Sequence, residues 1–246
     1  MSDHTIVLPS KPKAVSEDEI FGQYEINGLY PGYGHTLGNS LRRIILSSLP
    51  GTSITTVKIN GVNNEFSAVE GIREDVITIL LNLKNIRIQM DTDEAQTLKL
   101  KVKGEKTVTA GDIETTGQTT ITNPELEIAH LTDKNASLEM EITVERGLGY
   151  VAKEDLTDHG RDIGTIKLDA VFTPIKRVRY EVENMRVGDR TDYNRLRLFI
   201  ETDGTIKPRE ALDRSIATMT QQLQALTEEH GTEEPIEAEL SYTPSS

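Results

Sequence analysis

The sequence predicts an α+β fold, in a layout that permits a β-rich lobe inserted into one built from both chain ends. Three observations carry this. Helical periodicity is confined to three segments, two near the start of the chain and one near its end. Period-2 alternation of apolar residues recurs through most of the chain between them. The stretch from about Gly104 to Asn135 is rich in Thr, Gly and Asp and thin in apolar side chains, as loops and edge strands are.

The first helix is predicted in GYGHTLGNSLRRIILSSLPG, where Leu37, Leu41, Ile44, Ile45, Ser48 and Leu49 fall on one arc. Thr36 is its expected N-cap, and Pro50-Gly51 stops it. The second is predicted in SAVEGIREDVITILLNLK, opening on Ser67 and Glu70 at capping-box spacing, with Ile72, Val76, Ile79, Leu80 and Leu83 on one stripe. The third begins at Pro208, a residue suited to a first helical turn, and carries Leu212, Ile216, Met219, Leu223 and Leu226 at alternating spacings of four and three. Lys207, just before it, is a poor cap.

Strands are expected at Ile86-Ile88-Met90, Leu98-Leu100-Val102, Leu138-Met140-Ile142-Val144, Ile166-Leu168, Val178-Tyr180-Val182 and Leu196-Leu198-Ile200. Asn60-Gly61 after TTVKI signals a hairpin. The residues from Thr227 onward hold six glutamates and no Lys or Arg, which predicts a disordered acidic tail.

Composition narrows the function. A chain of 246 residues buries roughly 70% of its unfolded surface, so a sizeable core is expected. No apolar run approaches the roughly 20 residues of a membrane span, and no basic-then-apolar leader opens the chain, so the expected location is the cytoplasm and no membrane partner is expected. The absence of cysteine removes disulfides, thiolate metal sites and thiol nucleophiles. A formal charge of −13, still negative without the tail, is opposite to what a phosphate-neutralising surface needs.

Catalytic motifs are missing. Gly32-x-Gly34 before the first helix suggests a phosphate cradle, but no glycine follows at 37 and no P-loop Gly-Lys-Ser/Thr pair is present. That turn reads either as a close approach of the backbone to a neighbour or, in a competing reading, as the site of a dimeric α+β enzyme for a phosphorylated small molecule, Gly32 to Gly38. His4, His35, His130, His159 and His230 show no short metal-ligand spacing, and no G-x-S-x-G or HExxH occurs. No cofactor and no metal are expected.

The helices themselves remain. With Leu37 at zero on a wheel, Arg42 lies near about 140°, Leu46 near about 180° and Arg43 near about 240°, opposite the apolar stripe. An Arg-Leu-Arg face is either ordinary exposed surface with one stray leucine or a protein-contact face, where Arg is enriched. The 4-3-4 seam of the third helix packs either on another helix of the same chain or on a partner.

Four blocks carry a resemblance: GYGHTLGNSLRRIILSSLPG, EGIREDVITILLNLK, RGLGYV (146–151) and GDRTDYNRLRLFIETDGTI (188–206). In order and spacing, the chain from about 15 to 228 resembles the N-terminal region of the bacterial RNA polymerase alpha-subunit family. The resemblance implies a discontinuous dimerisation lobe (1–50 and 176–228), an inserted lobe (51–175) and a linker or tail (229–246). It implies a non-catalytic homodimer that scaffolds the beta and beta-prime subunits, with nucleotidyl transfer in those large subunits. It assigns large-subunit contact to Arg43 and Leu46, with Arg42 beside them, and to Lys84 at the end of LLNLK. The implied dimer seam is Leu37, Leu41 and Ile44 of the first helix with Leu212, Ile216, Met219 and Leu223 of the third. Family members carry a C-terminal DNA-binding domain beyond a linker, and Ser246 would fall in that linker, so direct nucleic-acid contact is not expected from this region.

Overall fold

The computed structural model describes residues 8–156 and 164–226. In chain order, β1 (Lys13–Glu17) and β2 (Phe21–Leu29) lead into α1 (Tyr33–Ser47), and β3 (Pro50–Ile59) precedes α2 (Val76–Leu83). Then come β4 (Ile88–Met90), β5 (Gln96–Lys103), β6 (Lys106–Thr109), β7 (Ile113–Glu114), β8 (Thr119–Ile121), β9 (Glu127–Leu131), β10 (Ser137–Leu148), β11 (Tyr150–Val151), β12 (Thr165–Lys167) and β13 (Ala170–Val171). The long strands β14 (Ile175–Val187) and β15 (Arg190–Thr202) and the helix α3 (Pro208–Ala225) complete the described chain.

Helices, strands and antiparallel sheets together make an α+β fold. An antiparallel sheet of order β1-β2-β15-β14 carries α1 and α3, and a second of order β12-β3-β10-β5-β7 is the centre of the β-rich part, joined by the ribbons β4-β8, β6-β9 and β11-β13. Each sheet has its own core. One contains Tyr24, Leu41, Ile45 and Leu49, then resumes at Ile175 and ends at Leu212. The other draws every buried member from Ile54 to Leu168. Side chains alternate in and out along β5 and β10, and the outward Lys99 and Lys101 pair with Glu141 and Glu139 across the register.

The chain crosses between the two cores at Pro50-Gly51 and near Pro174, and the crossings touch: a side chain on Gly51 would collide with the Phe172 carbonyl and meet Pro174 Cδ at 3.2 Å. Arg87 and Asp203 add an ion pair at 3.9 Å between the β-rich part and the β15–α3 turn.

Several local expectations are corrected. The first helix starts at Tyr33, earlier than a Thr36 cap allows, and Thr36 Oγ1 instead donates to the Gly32 carbonyl one turn back. The capping-box pair Ser67 and Glu70 starts no helix. Gly71 sits at φ +77° against Ala136, residues 68 and 75 form a strand-like bridge, and α2 begins only after Asp75, whose carboxylate accepts the Thr78 N–H at 2.9 Å. Ile72 is nonetheless packed on the inserted core, bridged to Leu131. Asn60-Gly61 makes a turn with Gly61 at φ +80°, but β3 pairs with β10 and β12 rather than with a hairpin partner. The tight hairpin lies between β14 and β15, where Val187 faces Arg190 across Gly188-Asp189. The third helix starts at Pro208 as expected, with no side-chain cap from Lys207. The acidic tail lies outside the described residues.

Glu74 anchors the loop before α2. Its carboxylate accepts the His130 N–H at 2.7 Å, lies 2.8 Å from His130 Nδ1, and pairs with Arg73 at 2.8 Å. Burial pushes its carboxyl up, but these hydrogen bonds outweigh burial and hold it below the usual carboxylate range. A depressed folded-state value favours the ionised form, so its stabilisation is present above the unfolded value, near 4.5, and lost as pH falls through the lower folded value. Glu74→Gln is therefore expected to lower Tm at neutral pH and to flatten its fall between about pH 5 and pH 3; thermal melts across that range check it.

Candidate interaction faces

The sequence around α1 makes a helix that lies unusually close to its sheet. Gly34 and Gly38 face the sheet, and a Cβ on them would meet Val182 Cγ1 at 2.7 Å and Tyr180 Cδ2 at 2.6 Å. Leu41, Ile45 and Leu49 continue that stripe into the core. The first turn has no local cap and no acidic residue; Gly32 stands before it at φ +87°. The cap comes from the sheet instead. Asn194 of β15, nearly buried, accepts the N–H groups of Gly32 at 2.9 Å and Gly34 at 3.3 Å, while its own amide donates to Asn184 Oδ1 at 3.3 Å. Tyr30 stacks edge-on against Tyr33 and Tyr193, centroids 6.0 Å apart, and braces the same turn.

This geometry bears on the phosphate-cradle reading of Gly32 to Gly38. The Gly32 and Gly34 amides are spent on Asn194 and that of Tyr33 on the Tyr30 carbonyl, and the helical glycines are pressed against Val182, Tyr180 and Leu196, so the glycines serve close approach to the sheet. Among the described residues no cluster of three His, Asp or Glu is arranged to hold a metal ion. His35 is exposed beside Tyr180, whereas His4, His159 and His230 lie outside the described residues. An open cleft of about 260 Å³ between the two cores is lined by Arg146 and Arg214, but these are already paired with Asp93 and Glu210. No helix among the described residues is long and apolar enough to cross a membrane.

The outer side of α1 is different. Arg42, Arg43 and Leu46 are all exposed, as the wheel predicts, but the two arginines are not equivalent. Arg42 Nε donates to the Val178 carbonyl at 3.2 Å and ties the helix to β14. Arg43 has no hydrogen bond or ion pair from its guanidinium among the described residues; only its carbonyl is used, accepting Ser47 Oγ at 2.8 Å. Leu46, 36% exposed, lies one turn further along the same face.

Lys84 stands apart from that pair, at the C-terminal end of α2 in the β-rich part. Its Nζ reaches Asp169 Oδ2 at 3.4 Å. The Asp169 carboxyl is held below its usual range, first by the Lys153 backbone N–H at 3.1 Å and then, against some burial, by Lys84. Beside this pair the exposed Ile77 and Leu81 form an i,i+4 couple on α2 and line a shallow groove with Lys84, Lys153 and Asp169.

The seam residues divide. Leu41 and Leu212, at 5% and 0% exposure, are packed in the core of their own lobe. Leu37, Ile216 and Met219 are half-buried at its margin, and Ile44 is half-buried on α1. Leu223, at 54% exposure, and Leu226 lie on the last turns of α3, which overrun the lobe with every residue from 220 to 226 exposed. An uncovered apolar helix end is unstable by itself in water.

Comparison with known proteins completes the picture. The family described as "RNA polymerase Rpb3/RpoA insert domain" matches residues 57–173. The chain is 46% identical to the DNA-directed RNA polymerase subunit alpha of Alkaliphilus metalliredigens over 217 residues, which is 87% of this chain and 69% of that protein. It is 46% identical over 226 residues to the subunit of the same name from Symbiobacterium thermophilum, 89% of this chain and 71% of that one, and 45% identical over 217 residues to that of Oceanobacillus iheyensis, 87% and 69%. The chain belongs to the bacterial DNA-directed RNA polymerase alpha-subunit family. For a family member of this kind, the insert range falls between the chain's two crossings, Pro50-Gly51 and Pro174, and coincides with the separate core of the β-rich part. Arg43, Leu46 and Lys84 came into view from the alpha-subunit motifs as expected contacts; Asn194, which lies 160 residues from the Gly34 amide that it caps, did not.

Proposed function

We propose that this chain is a non-catalytic assembly subunit of DNA-directed RNA polymerase. It pairs with a second copy of itself through α1 and the overrunning end of α3, and it holds the large beta and beta-prime subunits through the Arg43–Leu46 face of α1 and the Lys84 end of α2. The chemistry of nucleotidyl transfer belongs to those large subunits. One observation carries the reading most: α1 is bound on one side to its own sheet by Gly34, Gly38 and Asn194, and on the other presents Arg43, a residue type enriched at protein interfaces, beside the exposed Leu46. The dimer surface consistent with the burial is Leu37, Ile44, Ile216, Met219, Leu223 and Leu226, without Leu41 and Leu212.

The test is affinity capture of the tagged chain from its own cells, with mass spectrometry of what co-purifies. Arg43→Ala is expected to keep the fold and the dimer while lowering retention of the beta subunit about tenfold, the effect of losing an interface arginine. A dimer lost, or a Tm several degrees lower, would show Arg43 to be a structural residue instead.

A further inference from the structure

The docking face of α1 can only work if the helix is held at one rotation on its sheet, and the structure shows what holds it. Near its C-terminal half the Arg42 guanidinium grips the Val178 carbonyl of β14. At its N-terminal end the helix has no side-chain cap of its own and no first-turn carboxylate; the Tyr33 amide is held by the Tyr30 carbonyl at 3.0 Å, and the Gly32 and Gly34 amides on either side of it both end on the Asn194 side-chain oxygen of β15. Asn194 is itself fixed, 6% exposed and hydrogen-bonded through its amide to Asn184 across the β14–β15 ladder. The Gly34 backbone packs on the Asn194 Cβ, where any side chain of its own would come within 3.0 Å.

We propose that Asn194 is a positioning residue for the α1 docking face: by pinning the first helical turn to β15 it sets the rotation at which Arg43 and Leu46 are presented. This rests on the reading of that face given above. Asn194 lies on the sheet side of α1, and Arg43 is nine residues beyond Gly34, roughly 14 Å along the axis, so the residue acts through the helix and not by touching a partner. With the pin removed, the buried Gly34 amide loses its acceptor, and the first turn keeps its packing on Val182 and Tyr180 but no hydrogen bond to β15, so it can shift while Leu41, Ile45 and the Arg42 tether hold the rest of the helix. An aspartate at the same position would still accept both amides and would suit the positive end of the helix, losing only the donor to Asn184.

The experiment uses the full chain co-expressed with the large subunits, and measures their retention, the oligomeric state and Tm for Asn194→Ala and Asn194→Asp. Both are made in the native background and in Arg43→Ala/Leu46→Ala. Asn194→Ala is expected to keep the dimer and to lower retention at least fivefold in the native background. In the double-variant background it should add less than twofold, because the face it orients is already gone. Asn194→Asp should stay within twofold of the native chain. Equal fold losses in both backgrounds, or native retention by Asn194→Ala beside a defective double variant, would overturn the proposal while leaving the docking face intact. Full retention by the double variant would overturn the docking face, and the proposal with it. If Asn194→Ala fails to fold, Asn194→Ser, too short to span both amides, is read by the same comparison.

Discussion

A glutamate in place of Ile216 is expected to turn the proposed dimer into monomer or aggregate. Ile216 is half-buried at the margin of its lobe's core, one turn before the part of α3 that leaves the lobe. A carboxylate there faces burial without a partner, a cost of several kcal/mol for an uncompensated charge. Because the same residue touches its own core, Leu223→Glu is the companion variant. Leu223 is 54% exposed in a single copy, so the charge is solvated in the monomer and opposed only where a second copy covers it. Size-exclusion chromatography with light scattering should find Leu223→Glu folded and monomeric. If both variants elute as native-like dimers, the end of α3 is not at the interface.

Gly38→Val is expected to be the most destabilising substitution on α1. The first added atom would lie 2.6 Å from Tyr180 Cδ2 and 2.9 Å from Leu196 Cδ1, and Leu196 is fully buried. Overpacking of this kind costs about 3 kcal/mol, only partly offset by the better helix propensity of a residue with a side chain. For a chain of this size that corresponds to a Tm drop of roughly 6–12 °C. Asn39→Ala, one residue on and exposed, should be nearly neutral. Equal melting temperatures for the two variants would mean that α1 stands off the sheet.

The comparison of sequence and structure separates what local chemistry can show from what it cannot. The stripes of α1 and α3 and the alternation of β5, β10, β14 and β15 were readable because burial imposes periods of 3.6 and 2 on any element that covers a core. The start of α2 was misread because Ser67 and Glu70 satisfy a capping pattern that the left-handed backbone at Gly71 interrupts. Asn60-Gly61 supplied a turn, but β3 found its partners far along the chain, in β10 and β12. Periodicity also cannot say who buries a stripe: Leu41 and Leu212 share their helices with residues of the proposed seam, and only the packed structure shows their area spent inside one lobe.

The proposed docking face was legible in part. The wheel placed Arg43 and Leu46 together, and their exposure in the fold agrees. It could not distinguish Arg42, whose tether to Val178 is a contact across 136 residues. Lys84 came only from the resemblance, since a lysine ending a helix has no signature of its own. Asn194 left no local trace, because a cap supplied from another element needs nothing but the right oxygen in the right place.

The most direct test of the assembly role is native mass spectrometry of the complex captured on the tagged chain. Two copies of this chain with one of each large subunit are expected, and a particle lacking the beta subunit when Arg43 and Leu46 are both replaced by alanine. Recovery of the chain alone as a clean oligomer, with both large subunits absent, would contradict that role.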